Sequence, residues 1–408
     1  MIKILQINSV VNTGSTGRIA EDIGNRVLSK KWESHIAYGR YANQSSSRLK
    51  NIGDKFSNYY HVYLTRVFDK HGLGSTSGTK KLISYIDDLS PDVVHLHNIH
   101  GYYLNYKLLF SYLSEKSTPT VWTLHDCWSF TGHCVHFESI NCTKWMVSCN
   151  KCPQKTSYPS SYLFDRSEKN FNDKKKSFNS SNLTIVPVSH WLENLVKKSF
   201  LSKNKIQVIQ NGIDLNIFKP IKNSNLKKLL GVENKFIILC VASIWNEGKG
   251  FKDIIEISQK IDRDEIIIIV GLNKKQLNSI PNNIIGVEKT GNIKELAEFY
   301  SESDVFLNPT YADTFPTTNL ESLACGTPIV TYDTGGSPEA ISKETGYVVD
   351  QGDKKGLLRA LKKIKAKGKN YFMNACIKRA RDNFNKEDRY NDYIELYNNL
   401  IQRNKSNV

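Results

Sequence analysis

The chain has no apolar run that approaches the ~20 residues needed to cross a bilayer as a helix. Its first residues, Met1 to Asn8, alternate apolar and polar and then meet glycine. They lack the apolar centre and small-residue cleavage site of a secretory signal, so they read as a first strand and the protein as cytoplasmic, at most peripheral at the inner face of the cell membrane. Internal repeats of about 20–50 residues are absent, which excludes solenoids and propellers. No long low-complexity tract interrupts the chain. Acid is in short supply: 40 Asp and Glu face 56 Lys and Arg, a formal charge of +16 over 408 residues. That excess favours anionic partners, namely phosphates, an anionic inner membrane surface or nucleic acid. A solvated lysine-rich surface accounts for it equally well. With 39% hydrophobic and 24% charged residues, the chain suits a globular enzyme of two domains.

What is present is a set of short, largely apolar runs that read as fully buried strands. They lie at 92–97, 120–124, 183–188, 205–209, 236–241, 265–270, 305–307 and 328–330. Between most of them lie segments with helical spacing, at 19–28, 80–89, 191–200, 251–261, 293–301 and 319–324. Strands apolar on both sides, alternating with helices, predict an α/β fold with parallel sheets covered on both faces. The alternation runs twice, broken at Asn211-Gly212 through Pro220. We expect two doubly wound Rossmann-like domains facing a central cleft, since such sheets bind ligands at the carboxyl ends of their strands. Residues 1–210 form the first, with an inserted Cys-rich loop at 127–166 and a returning C-terminal helix at 387–408. Residues 211–386 form the second.

Three segments carry chemistry. Gly14-Ser15-Thr16-Gly17-Arg18 follows strand one and opens a helix; its glycines allow close backbone approach and its free N–H groups attract anions. It is not the full three-glycine dinucleotide fingerprint, and a plain tight turn also explains it. Asp313 and Glu321 flank Thr314-Phe315-Pro316-Thr317-Thr318-Asn319-Leu320, with Ala-Cys-Gly-Thr-Pro following. Carboxylates accept hydrogen bonds from sugar hydroxyls, and a helix start favours phosphate. His125 ends an apolar strand, just before Asp126, Cys127 and Trp128.

The segment 311–328 closely resembles the carboxylate-x7-carboxylate signature of the large retaining glycosyltransferase family numbered four, whose members include capsule, colanic-acid and O-antigen enzymes. The resemblance implies the two-lobed GT-B fold. It gives Glu321 the donor ribose, Asp313 the donor sugar, and the Phe315 to Thr318 backbone the sugar and pyrophosphate. Lys249 fits the family's diphosphate-binding lysine, but Ile244 stands where an Arg is usual, so either Arg18 or Lys252 acts with Lys249 or the backbone compensates. Asn292 and Ile293 match the loop that meets the base, and His125 matches a histidine that contacts the donor sugar. Gly14, Ser15, Thr16 and Trp128 then fall on the acceptor side, with Gly17 and Arg18 toward the donor. The implied reaction is front-face transfer with retention, the leaving phosphate helping to take the acceptor proton, and no cofactor is required for catalysis. The expected partners are a nucleotide-diphosphate sugar and a glycan or polyprenyl-linked saccharide. Alternatives are a nucleotide-sugar epimerase or hydrolase of the same fold, or a basic zinc-knuckle protein that binds nucleic acid; the transferase reading expects no nucleic acid.

Cys134-x7-Cys142-x6-Cys149-x2-Cys152 suits a structural zinc in a reducing compartment. His133 and His136 are substitute ligands, and unligated thiols are the competing reading. Asp262-Arg263-Asp264 spells a metal-binding Asp-x-Asp but lies between a helix and a strand, and reads as a solvated turn.

Overall fold

The computed structural model describes residues 1–179, 182–222 and 224–406. It divides into two compact units, Met1–Gln210 with Arg389–Val408, and Asn211–Asp388.

The first unit is built on a seven-stranded parallel sheet: β1 (Lys3–Val11), β2 (Glu33–Ala42), β3 (Arg48–Asn51), β4 (Val93–Leu96), β5 (Thr120–Leu124), β6 (Leu183–Pro187) and β7 (Lys205–Ile206). The order across the sheet is β3-β2-β1-β4-β5-β6-β7. Its helices are α1 (Gly14–Ser29), α2 (Lys55–Phe68), α3 (Thr76–Leu89), α4 (Tyr106–Ser114), α5 (Ser167–Ser177) and α6 (His190–Lys198). β4 and β5 are buried along their whole length, as expected of strands covered on both faces. The run expected at 205–209 is a strand only over its first two residues, although the Gln207 and Ile209 N–H groups still donate to the Ile185 and Pro187 carbonyls of β6 at 3.0 and 3.2 Å before the linker.

The second unit carries β8 (Phe236–Val241), β9 (Glu265–Val270), β10 (Ile284–Val287), β11 (Val305–Asn308), β12 (Ile329–Tyr332) and β13 (Gly346–Val349). They form a parallel sheet in the order β10-β9-β8-β11-β12-β13. Its helices are α7 (Leu226–Leu229), α8 (Phe251–Ser258), α9 (Lys274–Leu277), α10 (Ile293–Glu302), α11 (Thr317–Ala324), α12 (Lys354–Lys367) and α13 (Lys369–Phe384). Both sheets reverse direction beside their first strand, between β1 and β4 and between β8 and β11. Those are the switch points outside which ligands settle in doubly wound sheets.

The returning helix α14 runs Lys386–Ser406, one residue earlier than expected; positions 407–408 lie outside the described residues. The first unit takes it over from Arg389 rather than 387. Tyr390, Tyr393, Ile394, Tyr397, Leu400 and Ile401 recur at helical spacing and pack on Ile4, Ile23, Val93 and Val121. Burial of each such side chain stabilises by about 1.5–3 kcal/mol. The phenols also bond inward: Tyr397 to His95 Nδ1 at 2.6 Å and Tyr393 to Thr123 at 3.0 Å.

Candidate functional site: the strand ends of the two sheets

In the second unit the loop after β8 and the loop after β11 meet at the switch point. Tyr311 N–H donates to the Gly248 carbonyl at 2.9 Å, and the Thr310 hydroxyl to the same oxygen at 3.2 Å. Gly250 sits at φ +72°, and a Cβ there would lie 2.0 Å from the Pro309 carbonyl oxygen, so only glycine permits the approach. This staple sets Lys249 beside Asp313: Nζ donates to Oδ2 at 2.6 Å. An ammonium has three donors, so Lys249 retains capacity for a phosphate oxygen. Asp313 Oδ1 in turn accepts the Phe315 N–H at 3.3 Å, turning the chain into α11.

Helix α11 begins at Thr317 with Pro316 as N-cap; no side chain caps it and no acid occupies its first turn. Its leading N–H groups therefore remain available to an anion. Asn319 is fully buried and anchors the helix, accepting from Asn308 at 2.9 Å and donating to the Ser337 hydroxyl at 3.0 Å. One turn on, Glu321 is only 7% exposed and accepts the Tyr300 hydroxyl at 2.8 Å. Burial and the adjacent carboxylate push the Tyr300 phenol well above its ordinary value, so it stays a donor. Gly335, at φ +57°, closes the site from β12, with the Gly336 N–H on the Asp313 carbonyl at 3.1 Å.

Not every expected residue points into this arrangement. The Asn292 side chain is committed to capping α10, accepting from the Lys294 and Glu295 N–H groups at 2.9 and 3.0 Å. Any contact with a base then falls to the backbone of Asn292 and Ile293. Ile244 is 71% exposed and supplies no charge, and Lys252 is exposed on α8. The Asp262–Asp264 turn lies against Lys365, which donates to Asp264 at 2.7 Å; it is a surface ion cluster, as read from the sequence.

In the first unit, α1 starts at Gly14 directly after β1 with no side-chain cap and no acid in its first turn. Gly14, at φ +61°, has open space around it, whereas a Cβ on Gly17 would meet Val10 at 3.1 Å. Ser15 and Arg18 are exposed. Beside this turn, the ends of β4 and β5 bring the expected His125 together with His97 and His100, which the sequence reading missed. Gln6 Nε2 donates to the Ala20 carbonyl at 2.8 Å, leaving its Oε1 to accept from His97 Nε2 at 2.9 Å. His97 Nδ1 is then an acceptor, and His125 Nε2–H donates to it at 3.2 Å. Burial pushes His125 down to about 4, so the ring is neutral near pH 7.

His100 Nε2 donates to Asp126 Oδ2 at 2.8 Å. Burial works to raise Asp126, but the charge and hydrogen bond of His100 overcome it and hold the carboxyl at about 2. His97, His100, His125 and Asp126 line one small cavity with Trp128. The only hint of this in sequence was three histidines at 95, 97 and 100 near a strand end. Trp128 is 1% exposed, beneath the Lys174 ammonium at 3.6 Å from the ring centroid. It forms part of the wall of that cavity.

The Cys-rich loop contains three single-turn 3-10 helices, at 128–130, 138–140 and 144–146, and neither strand nor α-helix. All eight cysteines are free. Cys149 Sγ accepts the Gly132 N–H at 3.2 Å. Cys152 shares a thiol hydrogen bond with Cys134, which draws the Cys152 thiol down to about 7. Among the described residues, the set of three or more donors gathered within 4.8 Å of one another is Cys127, His136 and Glu138; Cys134, Cys142, Cys149 and Cys152 are spread more widely. As placed, the four thiols lack the spacing of a closed tetrahedral site.

Comparison with known proteins matches this geometry. The family described as Glycosyltransferase Family 4 matches residues 16–217, and Glycosyl transferases group 1 matches residues 235–367. The putative colanic acid biosynthesis glycosyl transferase WcaC of Escherichia coli is 22% identical over 418 residues, covering 98% of this chain and 100% of that protein. The UDP-Gal:alpha-D-GlcNAc-diphosphoundecaprenol alpha-1,3-galactosyltransferase of Escherichia coli is 26% identical over 224 residues, 50% of this chain and 57% of that one. Among solved structures, Anabaena HepE in complex with UDP superposes at a TM-score of 0.69 with 15% identity, covering 98% of this chain and 100% of that chain. Sucrose-phosphate synthase from Thermosynechococcus elongatus does so at 0.73, also with 15% identity, covering 99% and 100%. Two Rossmann-like sheets, the acid pair of Asp313 before α11 and Glu321 on it, and these matches across both units agree: the chain belongs to glycosyltransferase family 4 and has the GT-B fold.

Proposed function

We propose that this glycosyltransferase moves a sugar from a nucleotide-diphosphate donor to a glycan or polyprenyl-linked saccharide, with retention at the anomeric carbon, in the assembly of a bacterial surface polysaccharide. The observation that carries the reading is the constellation of Lys249, Asp313, Glu321 and the uncapped start of α11 at one switch point. Glu321, held by Tyr300, accepts hydrogen bonds from the ribose hydroxyls. The Phe315 to Thr318 backbone and Lys249 take the diphosphate, where charge builds as the bond to the anomeric carbon breaks. Asp313 orients the donor sugar. The leaving phosphate takes the acceptor proton, so no protein nucleophile is used and no metal is called on. The acceptor is taken by the first unit near Gly14 to Gly17 and the His125 cavity. A neutral His125 donating to His97 can face a sugar hydroxyl without adding charge.

The relatives support the polysaccharide setting, one being a putative colanic acid biosynthesis enzyme and another transferring to a diphosphoundecaprenol-linked sugar, and HepE in complex with UDP-glucose supports a nucleotide-sugar donor. A lipid-linked acceptor would place the enzyme at an anionic membrane face; among the described residues no helix is long and apolar enough to span it. The test is a thermal-shift titration against UDP- and GDP-sugars, because a ligand that binds the folded state raises the melting temperature. One donor should stabilise the protein and fail to stabilise Glu321→Ala. Donor consumption without acceptor, as fast as with it, would instead support an epimerase or hydrolase. No response to any donor would sink the proposal.

A further inference from the structure

Helix α2 buries only His61 and Thr65. Its opposite face carries Phe56, Tyr59, Tyr60 and Tyr63, which are 82%, 76%, 54% and 52% exposed. Positions 56, 59, 60 and 63 share one side of a helix, so these rings form a stripe turned to solvent. The stripe continues through ring contacts: Tyr60 stacks on Tyr63 at 6.2 Å, Tyr63 meets Phe68 edge-on at 6.2 Å, and Phe68 stacks on Phe164 at 5.6 Å. The end of the Cys-rich loop is stitched alongside α2, with the Tyr162 N–H on the Arg66 carbonyl at 2.7 Å and the Phe164 N–H on the Val67 carbonyl at 3.1 Å. Tyr162, Leu163 and Phe164 are each more than half exposed. A contiguous aromatic patch of this extent is not an ordinary monomer surface.

The charges around the patch are of one sign. Neither α2 nor residues 155–164 contain an acid, while Lys55, Arg66, Lys70 and Lys155 lie in or beside them. Lys70 Nζ sits 5.5 Å from the Phe68 ring centroid, and Lys155 Nζ donates to the Leu163 carbonyl at 3.2 Å. The neighbouring acids are spoken for. Asp54 caps α2, Asp69 is buried against His133 at 2.7 Å, and Asp165 accepts the Cys152 and Ser167 N–H groups at 2.6 and 2.9 Å.

We infer that this face docks the protein on an anionic phospholipid surface. Exposed Tyr and Phe side chains interleaved with Lys and Arg are the composition that settles at the headgroup boundary, rings inward and cations toward lipid phosphate. A second copy of the same face would set cations against cations with no acid to receive them, which disfavours self-association through it. The inference does not depend on the transferase reading, since lipid binding needs neither donor nor turnover.

The experiment is co-sedimentation of the full chain with vesicles of phosphatidylcholine alone and of phosphatidylcholine mixed with phosphatidylglycerol. The protein should partition onto the anionic vesicles and not the neutral ones, more weakly as salt is raised. The triple variant Tyr59→Ser/Tyr60→Ser/Tyr63→Ser should bind at least about tenfold more weakly, and Arg66→Glu/Lys70→Glu should also lose binding. Tyr59, Tyr60, Tyr63 and Arg66 are exposed and Lys70 is part-exposed, and an unchanged melting temperature would verify the fold. Absence of binding to anionic vesicles, or a triple variant that binds as the parent does, would overturn the inference. So would a parent dimer that the triple variant breaks, without vesicle binding by either protein.

Discussion

A methyl group placed at Gly335 tests whether the Asp313 backbone positions the donor. Gly335 adopts φ +57°, and a Cβ there would fall 1.9 Å from the Asp313 carbonyl oxygen. Real Cβ atoms essentially never come closer than 3.0 Å, so Gly335→Ala forces a displacement of about 1 Å between the β12 loop and Asp313. A misplacement of that size at a reacting centre can cost about 100-fold in rate. Gly352→Ala is the control. It shares a left-handed backbone, at φ +84°, but its Cβ would meet only the Tyr311 hydroxyl at an ordinary 3.6 Å. Both substitutions incur the backbone cost of about 1–2 kcal/mol, or roughly 2–4 °C of melting temperature per kcal/mol in a unit of this size. Only Gly335→Ala should lose, in addition, the thermal stabilisation by the sugar nucleotide found to stabilise the parent, and about two orders of magnitude in turnover. If both variants keep that stabilisation and turnover, or lose them equally, the link from the Gly335 turn through Asp313 to the donor is wrong.

Tyr300→Phe removes the 2.8 Å bond to Glu321 and should lower stability by about 1.5–3 kcal/mol, with donor affinity falling as Glu321 loses its orientation; thermal melts with and without donor read both. Lys249→Met should leave stability nearly unchanged, since the Asp313 pair is part-exposed, yet cut turnover by about 10- to 1,000-fold through the lost phosphate contact; a rate close to the parent's would remove Lys249 from the site. Burial depresses Lys174 to about 7, below the ~10.4 of an unfolded lysine. The unfolded chain therefore binds more protons between those values, and this residue's contribution to stability rises with pH across that window. Lys174→Met should flatten that slope in urea melts, while costing stability at every pH because the Trp128 and Thr131 carbonyls lose their donor. For the cysteine loop we propose one structural zinc per chain, whose binding would draw Cys134, Cys142, Cys149 and Cys152 closer together than they stand here. Mass spectrometry of the purified protein should find it and lose it in Cys149→Ser/Cys152→Ser; zinc lost instead in Cys127→Ala would move the site to Cys127, His136 and Glu138.

Much of the frame was legible because parallel strands buried on both faces must be apolar throughout. The runs at 120–124 and 265–270 could be little else, and helix α11 followed from the spacing after Asp313. Edge strand β3 escaped notice because all four of its residues are exposed and nothing in Arg48-Leu49-Lys50-Asn51 alternates. The aromatics of α2 show the opposite limit. Their spacing says that they share a face, and the usual reading would bury that face, but periodicity cannot say what covers it.

The sequence by itself determined the doubly wound architecture and singled out the acid pair Asp313 and Glu321, since both rest on local pattern: strand hydrophobicity, helix spacing, and two carboxylates eight residues apart. Tertiary structure alone decided the environments of those groups. It brought Tyr300 to Glu321 from α10, set Lys249 against Asp313 across two loops, and gathered His97, His100 and His125 from separate strand ends. It also turned Trp128 inward and the α2 rings outward. Each of these depends on distance through space between residues far apart in the chain. Such distances are set by how helices pack on the sheets, and no local spacing records them.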